Sequence, residues 1–262
     1  MDVSNLPSNQ PPPAGPRAGS PDGPRDGTEA TIAGPGPPVE PAADARVATQ
    51  MVFWSSLLIA LLGLLYAAVL GAAAALGALT LPPTEPIGSL AAVDTIISAI
   101  LLVVLVVGID TITPRARRPF SRLSVIFTAM FAVAVTINRF VQLTIVRQST
   151  AAGDTTDLRR FLPYDPRSAM FALEILGWGL FLGLAALCLV PVLRGPGVRT
   201  WIARLFGLYG VLGLACALGL VLDSPFTAVG FLAWGGVLPL GAGLIAVTSR
   251  PGAQSPTPLV VP

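Results

Sequence analysis

MVFWSSLLIALLGLLYAAVLGAAAALGALT, residues 51–80, decides the fold. It holds no charged side chain, and the uncharged run extends from Arg46 to Glu85. About 20 mostly apolar residues in a helix cross the hydrocarbon core of a bilayer, where only a helix satisfies its own backbone hydrogen bonds. Working outward from this stretch, the same test is met at 88–111, 121–147, 167–192, 201–222 and 226–248. The expected fold class is therefore all-α: a polytopic membrane bundle of six transmembrane helices over 51–249. Composition agrees, with 53% hydrophobic and 11% charged residues, against about 25% charged in a soluble domain.

The ends of these segments carry helix signals. Ser89 and Ser121 are candidate caps for the second and third helices, and Thr113-Pro114 stops the second. Asp165-Pro166 precedes the fourth and Ser224-Pro225 the sixth, each a capping residue followed by a proline suited to a first turn. Asp223-Ser224-Pro225 leaves only a tight turn between the last two spans, which makes them antiparallel neighbours.

Residues 1–50 contrast with the rest. They hold eleven Pro and six Gly and carry three Arg against six acids. Such a segment buries too little apolar surface to offset its ordering entropy, and is read as a disordered cytoplasmic tail. Residues 250–262 form a second short cytoplasmic tail. Every basic residue is arginine, and placing the N-terminus inside puts nine near inner membrane ends and four in the long third loop (Arg147, Arg159, Arg160, Arg167). The positive-inside rule then favours a multi-pass protein of the cell membrane with both termini cytoplasmic.

Composition also removes several chemistries. With no histidine, a histidine base, a His-ligated metal and a Ser/His/Asp triad are all excluded. The two cysteines, Cys188 and Cys216, lie in apolar runs on segments expected to hold them at opposite ends. No metal site, no cofactor and no nucleic-acid partner is expected, since the arginines are scattered over loops.

The informative residues are the ionisable ones inside the spans. Asp94, Arg139 and Glu174 all fall roughly 9 to 12 Å below the outer boundary at the helical rise per residue. Intramembrane charges face the bundle interior and pair. Ser98 lies one turn from Asp94, and Asn138 and Gln142 flank Arg139 on its own helix. Two readings follow. In one, a polar cavity open to the outer side uses Asp94 or Glu174 to exchange a proton or bind a cation while Arg139 holds an anionic group. In the other, Arg139 pairs with Glu174 or Asp94, braced by Asn138 and Gln142, and serves only helix assembly.

Asp110 is expected to pair at the surface with Arg115, Arg117 or Arg118. Pro239 removes the donor for the carbonyl of Gly235 and so predicts a kink in the sixth helix. Gly179 and Gly183 form a GxxxG, echoed by Gly71 with Ala75 and Gly213 with Ala217, which fits either a compact bundle or a dimer.

FALEILGWGLFLGLAALCLVPV (171–192) and GFLAWGGVLPLGAGLIAV (230–247) resemble an uncharacterised family of bacterial integral membrane proteins with about six spans. The resemblance rests on Glu174, Gly177-Trp178-Gly179 and Trp234-Gly235-Gly236 and covers the helical core. It implies a bacterial inner-membrane protein and carries over no catalytic residue. The functional expectation is a non-catalytic membrane protein, structural, accessory or partner-binding, with the lipid bilayer and a second copy or membrane protein as partners. The alternative is a small-solute or proton-coupled transporter using the Asp94, Arg139 and Glu174 cluster.

Overall fold

The computed structural model describes residues 41–75, 85–154, 156, 158–162 and 165–251. The proline-rich segment 1–40, and residues 252–262 of the short C-terminal tail, lie outside the described residues. Six helices are long and apolar enough to cross a membrane, and the chain is a multi-pass membrane protein. They are α1 (Pro41–Ala75), α2 (Ile87–Thr111), α3 (Arg115–Ala151), α4 (Ala169–Leu193), α5 (Val198–Val221) and α6 (Pro225–Thr248).

The first helix begins at Pro41, ten residues before the expected start of the bundle. Proline is favoured in a first turn, and Asp44 there complements the helix dipole, so the polar residues 41–50 extend α1. Inside the spans, hydroxyls return to the preceding turn: Ser55 donates to the Met51 carbonyl at 2.5 Å, Thr95 to Ala91 at 2.7 Å and Thr128 to Ser124 at 2.7 Å. That internal bond lets a polar side chain occupy an apolar helix without a stranded donor.

Each helix packs against the next in sequence, and α6 closes against α1. The core between them holds Val52, Leu102, Leu105, Phe131, Leu189 and Ile245. The most enclosed helix is α4, with 56% of its apolar window buried against 28–39% for the others. The α4–α5 contact explains the glycine pattern. A Cβ on Gly213 would lie 2.7 Å from the Gly179 carbonyl oxygen, and one on Gly210 would lie 2.9 Å from that of Gly183. The GxxxG of α4 is thus occupied within the chain by α5, whereas a Cβ on Gly71 meets nothing.

Three expected caps are replaced by others. Ser89 does not cap α2; its hydroxyl donates to Glu85 at 2.9 Å. Ser121 lies within α3, because Pro114 and the arginines after it already begin the helical path. At α4 the cap is Ser168, accepting from the Phe171 N–H at 2.9 Å, while Asp165 accepts from the Arg167 N–H at 2.9 Å. Ser224 caps the start of α6 as expected, with Pro225 in the first turn. Asp223 in the preceding turn has a φ of 51°, a backbone state that aspartate tolerates better than most residues.

The arginine-rich end of the bundle differs from expectation in one pairing. Asp110 accepts a hydrogen bond from Ser121 and forms no ion pair among the described residues. The arginines instead reach helix C-terminal carbonyls: Arg117 donates to Arg194 at 3.4 Å, and Arg118 to Thr113 at 3.2 Å. Carbonyls left without helical partners compete well for guanidinium donors. Cys188 and Cys216 are both free thiols.

Candidate intramembrane polar site

Glu174 sits in the first two turns of α4, and Asn138, Arg139 and Gln142 follow one another along α3. Their side chains close a network. Arg139 forms an ion pair with Glu174 Oε1, Asn138 donates to Glu174 Oε2, and Arg139 donates to Gln142 Oε1 at 3.0 Å. Gln142 returns a hydrogen bond to Asn138 Oδ1 at 2.8 Å, and Asn138 also donates to the Met170 carbonyl at 3.2 Å. Arg139 and Glu174 are 7% and 8% exposed, so the pair is shielded from both water and lipid. Only Arg139 Nε of this network is buried without a partner among the described residues.

Asp94 stands apart. It is half-buried on α2 and has neither an ion pair nor a hydrogen bond among the described residues, and neither has Ser98 one turn further on. Both nonetheless share a cavity of about 100 Å³ with Arg139 and Glu174. Gly235 and Pro239 of α6 line the same cavity. Counting along the sequence placed three charges at one depth; the structure adds that α2, α3, α4 and α6 turn those faces toward one space.

The remaining walls were not foreseen. Tyr66 and Gly63 come from α1, Trp178 from α4 and Trp234 from α6. Ring contacts hold the tryptophans: Phe131 packs edge-on to Trp178 at 4.7 Å, Trp178 lies 5.9 Å from Trp234, and Phe231 flanks Trp234 at 5.4 Å. Both indole nitrogens are buried without a hydrogen-bond partner among the described residues. The apolar spacing of Trp178 and Trp234 resembled ordinary core, and only their glycine neighbours hinted otherwise.

Three helices widen near this level. Leu182 N–H bonds the Gly177 carbonyl, Leu238 N–H that of Ala233, and Arg147 N–H that of Gln142, each five residues back rather than four. These π turns displace backbone partners, and insertions of this kind recur at functional sites. In α4 the Leu182 N–H, the ordinary donor to the Trp178 carbonyl, is drawn to Gly177, and the Tyr209 hydroxyl of α5 donates to that carbonyl at 3.1 Å. In α6 the compensation is incomplete. Leu238 N–H is directed to Ala233, and Pro239, the next residue that could serve, has no N–H, so the Trp234 carbonyl lacks both its ordinary and its widened donor. The interruption expected at Pro239 is therefore a π turn over Ala233–Val237, placed immediately before the proline. Gly63 makes room for it, since a Cβ there would lie 2.6 Å from Pro239 Cγ.

Chemically, the site divides into a neutralised brace and an unneutralised half. Arg139 and Glu174 cancel each other's charge, and their hydrogen-bonding groups face one another. Asp94 leaves one carboxyl, with Ser98, the π turn of α6 and two indole rings around a small space. No group of three or more His, Cys, Asp or Glu side chains is poised to hold a metal ion among the described residues. Comparison with protein-family models, with curated proteins and with solved structures gives no match for this chain.

Proposed function

We propose that this membrane protein binds a small solute within the cavity between its helices and acts as a carrier, with Asp94 as the ionisable group of the site. The observation that carries this reading is Asp94 itself. A carboxyl at membrane depth is costly and normally paired, yet here Arg139, the cation nearest in depth, is already committed to Glu174. An interrupted helix beside the cavity is a second support, since broken helices line the binding sites of many transporters. The cavity of about 100 Å³ is well below the roughly 300 to 1,000 Å³ of drug-sized pockets, which suits a small solute. No catalytic role is assigned to any residue.

The proposal includes a bacterial inner-membrane location with both termini cytoplasmic. Nine arginines near one set of membrane ends, against four in the loop between α3 and α4, support it. Reaction of an impermeant thiol reagent with a cysteine at position 154 but not at 197, in intact cells, checks the orientation.

The closed network among Asn138, Arg139, Gln142 and Glu174 favours a second reading, in which the buried charges serve assembly and the protein is structural, accessory or partner-binding. A thermal-shift screen of purified protein in nanodiscs against ions and small metabolites separates the two, because a ligand of the folded state raises its stability by mass action. Ligand-dependent stabilisation that is lost in Asp94→Asn, together with solute flux into proteoliposomes, is the expected result. A flat screen with no flux favours the assembly reading and a protein partner.

A further inference from the structure

Resting on the reading of the cavity as a solute site, we infer that its ligand is a small ammonium cation, ammonium itself or a short alkylamine in its charged form. Three independent features of the wall point to that chemistry.

The first is charge. With Arg139 and Glu174 paired, Asp94 leaves the cavity one negative charge in excess. A cation of charge one neutralises it; an anion would add a second uncompensated charge at membrane depth. The second is the set of accessible acceptors. Asp94 and Ser98, one turn apart on α2, both line the cavity, as does Gly235 in the π turn of α6. The wall therefore offers oxygen atoms. Its unpartnered donors, Arg139 Nε and the two indole nitrogens, are buried out of reach of a ligand. The third is aromatic surface. Trp178, Trp234 and Tyr66 line the space, and the two indoles are held in place by Phe131 and Phe231. Aromatic faces attract ammonium groups strongly once water is excluded, tryptophan best of all. A bare alkali-metal ion, more strongly hydrated, gains less from the rings, whereas an alkylammonium uses both the oxygens and the rings. The size of the cavity limits the alkyl part to a few carbons.

The test uses full-length protein in nanodiscs carrying Trp54→Phe and Trp201→Phe, so that of four tryptophans only Trp178 and Trp234 emit. It is titrated at constant ionic strength with methylammonium chloride, sodium chloride, sodium acetate and acetamide, following tryptophan emission and thermal midpoint. The expected result is a saturable response to methylammonium alone. Asp94→Asn weakens it about tenfold or more, as loss of a shielded charge partner does. Trp234→Leu weakens it by a smaller factor and supplies the test should Asp94→Asn fail to fold. An undiminished methylammonium response in both variants overturns the inference. So does a response to sodium, acetate or acetamide without one to methylammonium, although the small-solute reading then stands. Silence toward every probe overturns that reading itself.

Discussion

The α4–α5 seam and the α6 wall of the cavity use glycine in opposite ways. At the seam, Cβ atoms on Gly213 and Gly210 would collide with the carbonyl oxygens of Gly179 and Gly183, so the missing side chains let two backbones touch. At the wall, a Cβ on Gly235 or Gly236 would meet nothing within 4 Å, so the missing side chains leave space. Backbone accounting differs in the same sense. The Trp178 carbonyl accepts from Tyr209 on the seam side, while at Trp234 the Leu238 N–H is drawn to Ala233 and the next residue, Pro239, has no N–H. One half of the bundle is finished as a packed solid. The other leaves a carboxyl, an interrupted helix and a cavity, a combination that membrane proteins tolerate where irregular backbone lines an internal space.

The sharpest way to break this contrast is to damage the finished half. Glu174→Ala strands the buried guanidinium of Arg139, and removal of one partner from a buried pair costs about 3 kcal/mol or more. Unfolding in mixed micelles should show that loss, and a midpoint within error of the parent would refute the brace. Gly213→Val is next. It drives a side chain into the Gly179 carbonyl, and overpacking of this kind costs about 1 to 3 kcal/mol, read as a lower thermal midpoint in nanodiscs. Tyr209→Phe removes the hydroxyl from the freed Trp178 carbonyl and is expected to cost about 1 kcal/mol.

Changes on the cavity side should be far milder. Gly235→Ala projects into open space and is expected to leave the unfolding free energy within about 0.5 kcal/mol of the parent, aided by alanine's better helix propensity. A large destabilisation there would mean that the cavity is closed by packing. The smallest effect belongs to the loop between α3 and α4. Arg159 donates to Asp165 at 2.8 Å and, with the Arg167 backbone N–H, holds that carboxyl below the usual carboxylate range. A depressed folded value means that the pair's contribution is complete above the ordinary aspartate value of about 4 and fades as pH falls through the folded value. Since the arginine is 75% exposed, the pair is screened and Asp165→Asn should barely move the midpoint at pH 7. An acid titration of the Asp165 carboxyl by NMR, compared with Arg159→Gln, checks the sign.

The architecture was readable because a bilayer imposes one length on every spanning helix. The uncharged run after Arg46 and the five segments that follow match α1 to α6, with the start of α1 the largest shift. That shift arose because Pro41 and Asp44 look like tail by composition and act as a helix start by position. The polar residues of the site were equally visible, since each is an exception in an apolar helix. Their partners were not. Asn138, Arg139 and Gln142 can be grouped by helical spacing alone, but nothing in the spacing chooses between Asp94 and Glu174 as the partner of Arg139. The aromatic lining was hidden for a related reason, because Trp178 and Trp234 are as compatible with a solid core as with a cavity wall.

Sequence by itself determined that this chain crosses a membrane in six helices, that α5 and α6 are joined by a tight turn, and that three charged groups share one depth. Each follows from local composition and from the rise of a helix. Only the tertiary structure decided that Glu174 takes the arginine, that Asp94 is left facing the cavity, and that three helices widen around it. Helices apolar on nearly every side carry no strong mark of which face turns inward. Their rotation is settled where the backbones meet, at contacts such as Gly179 against Gly213.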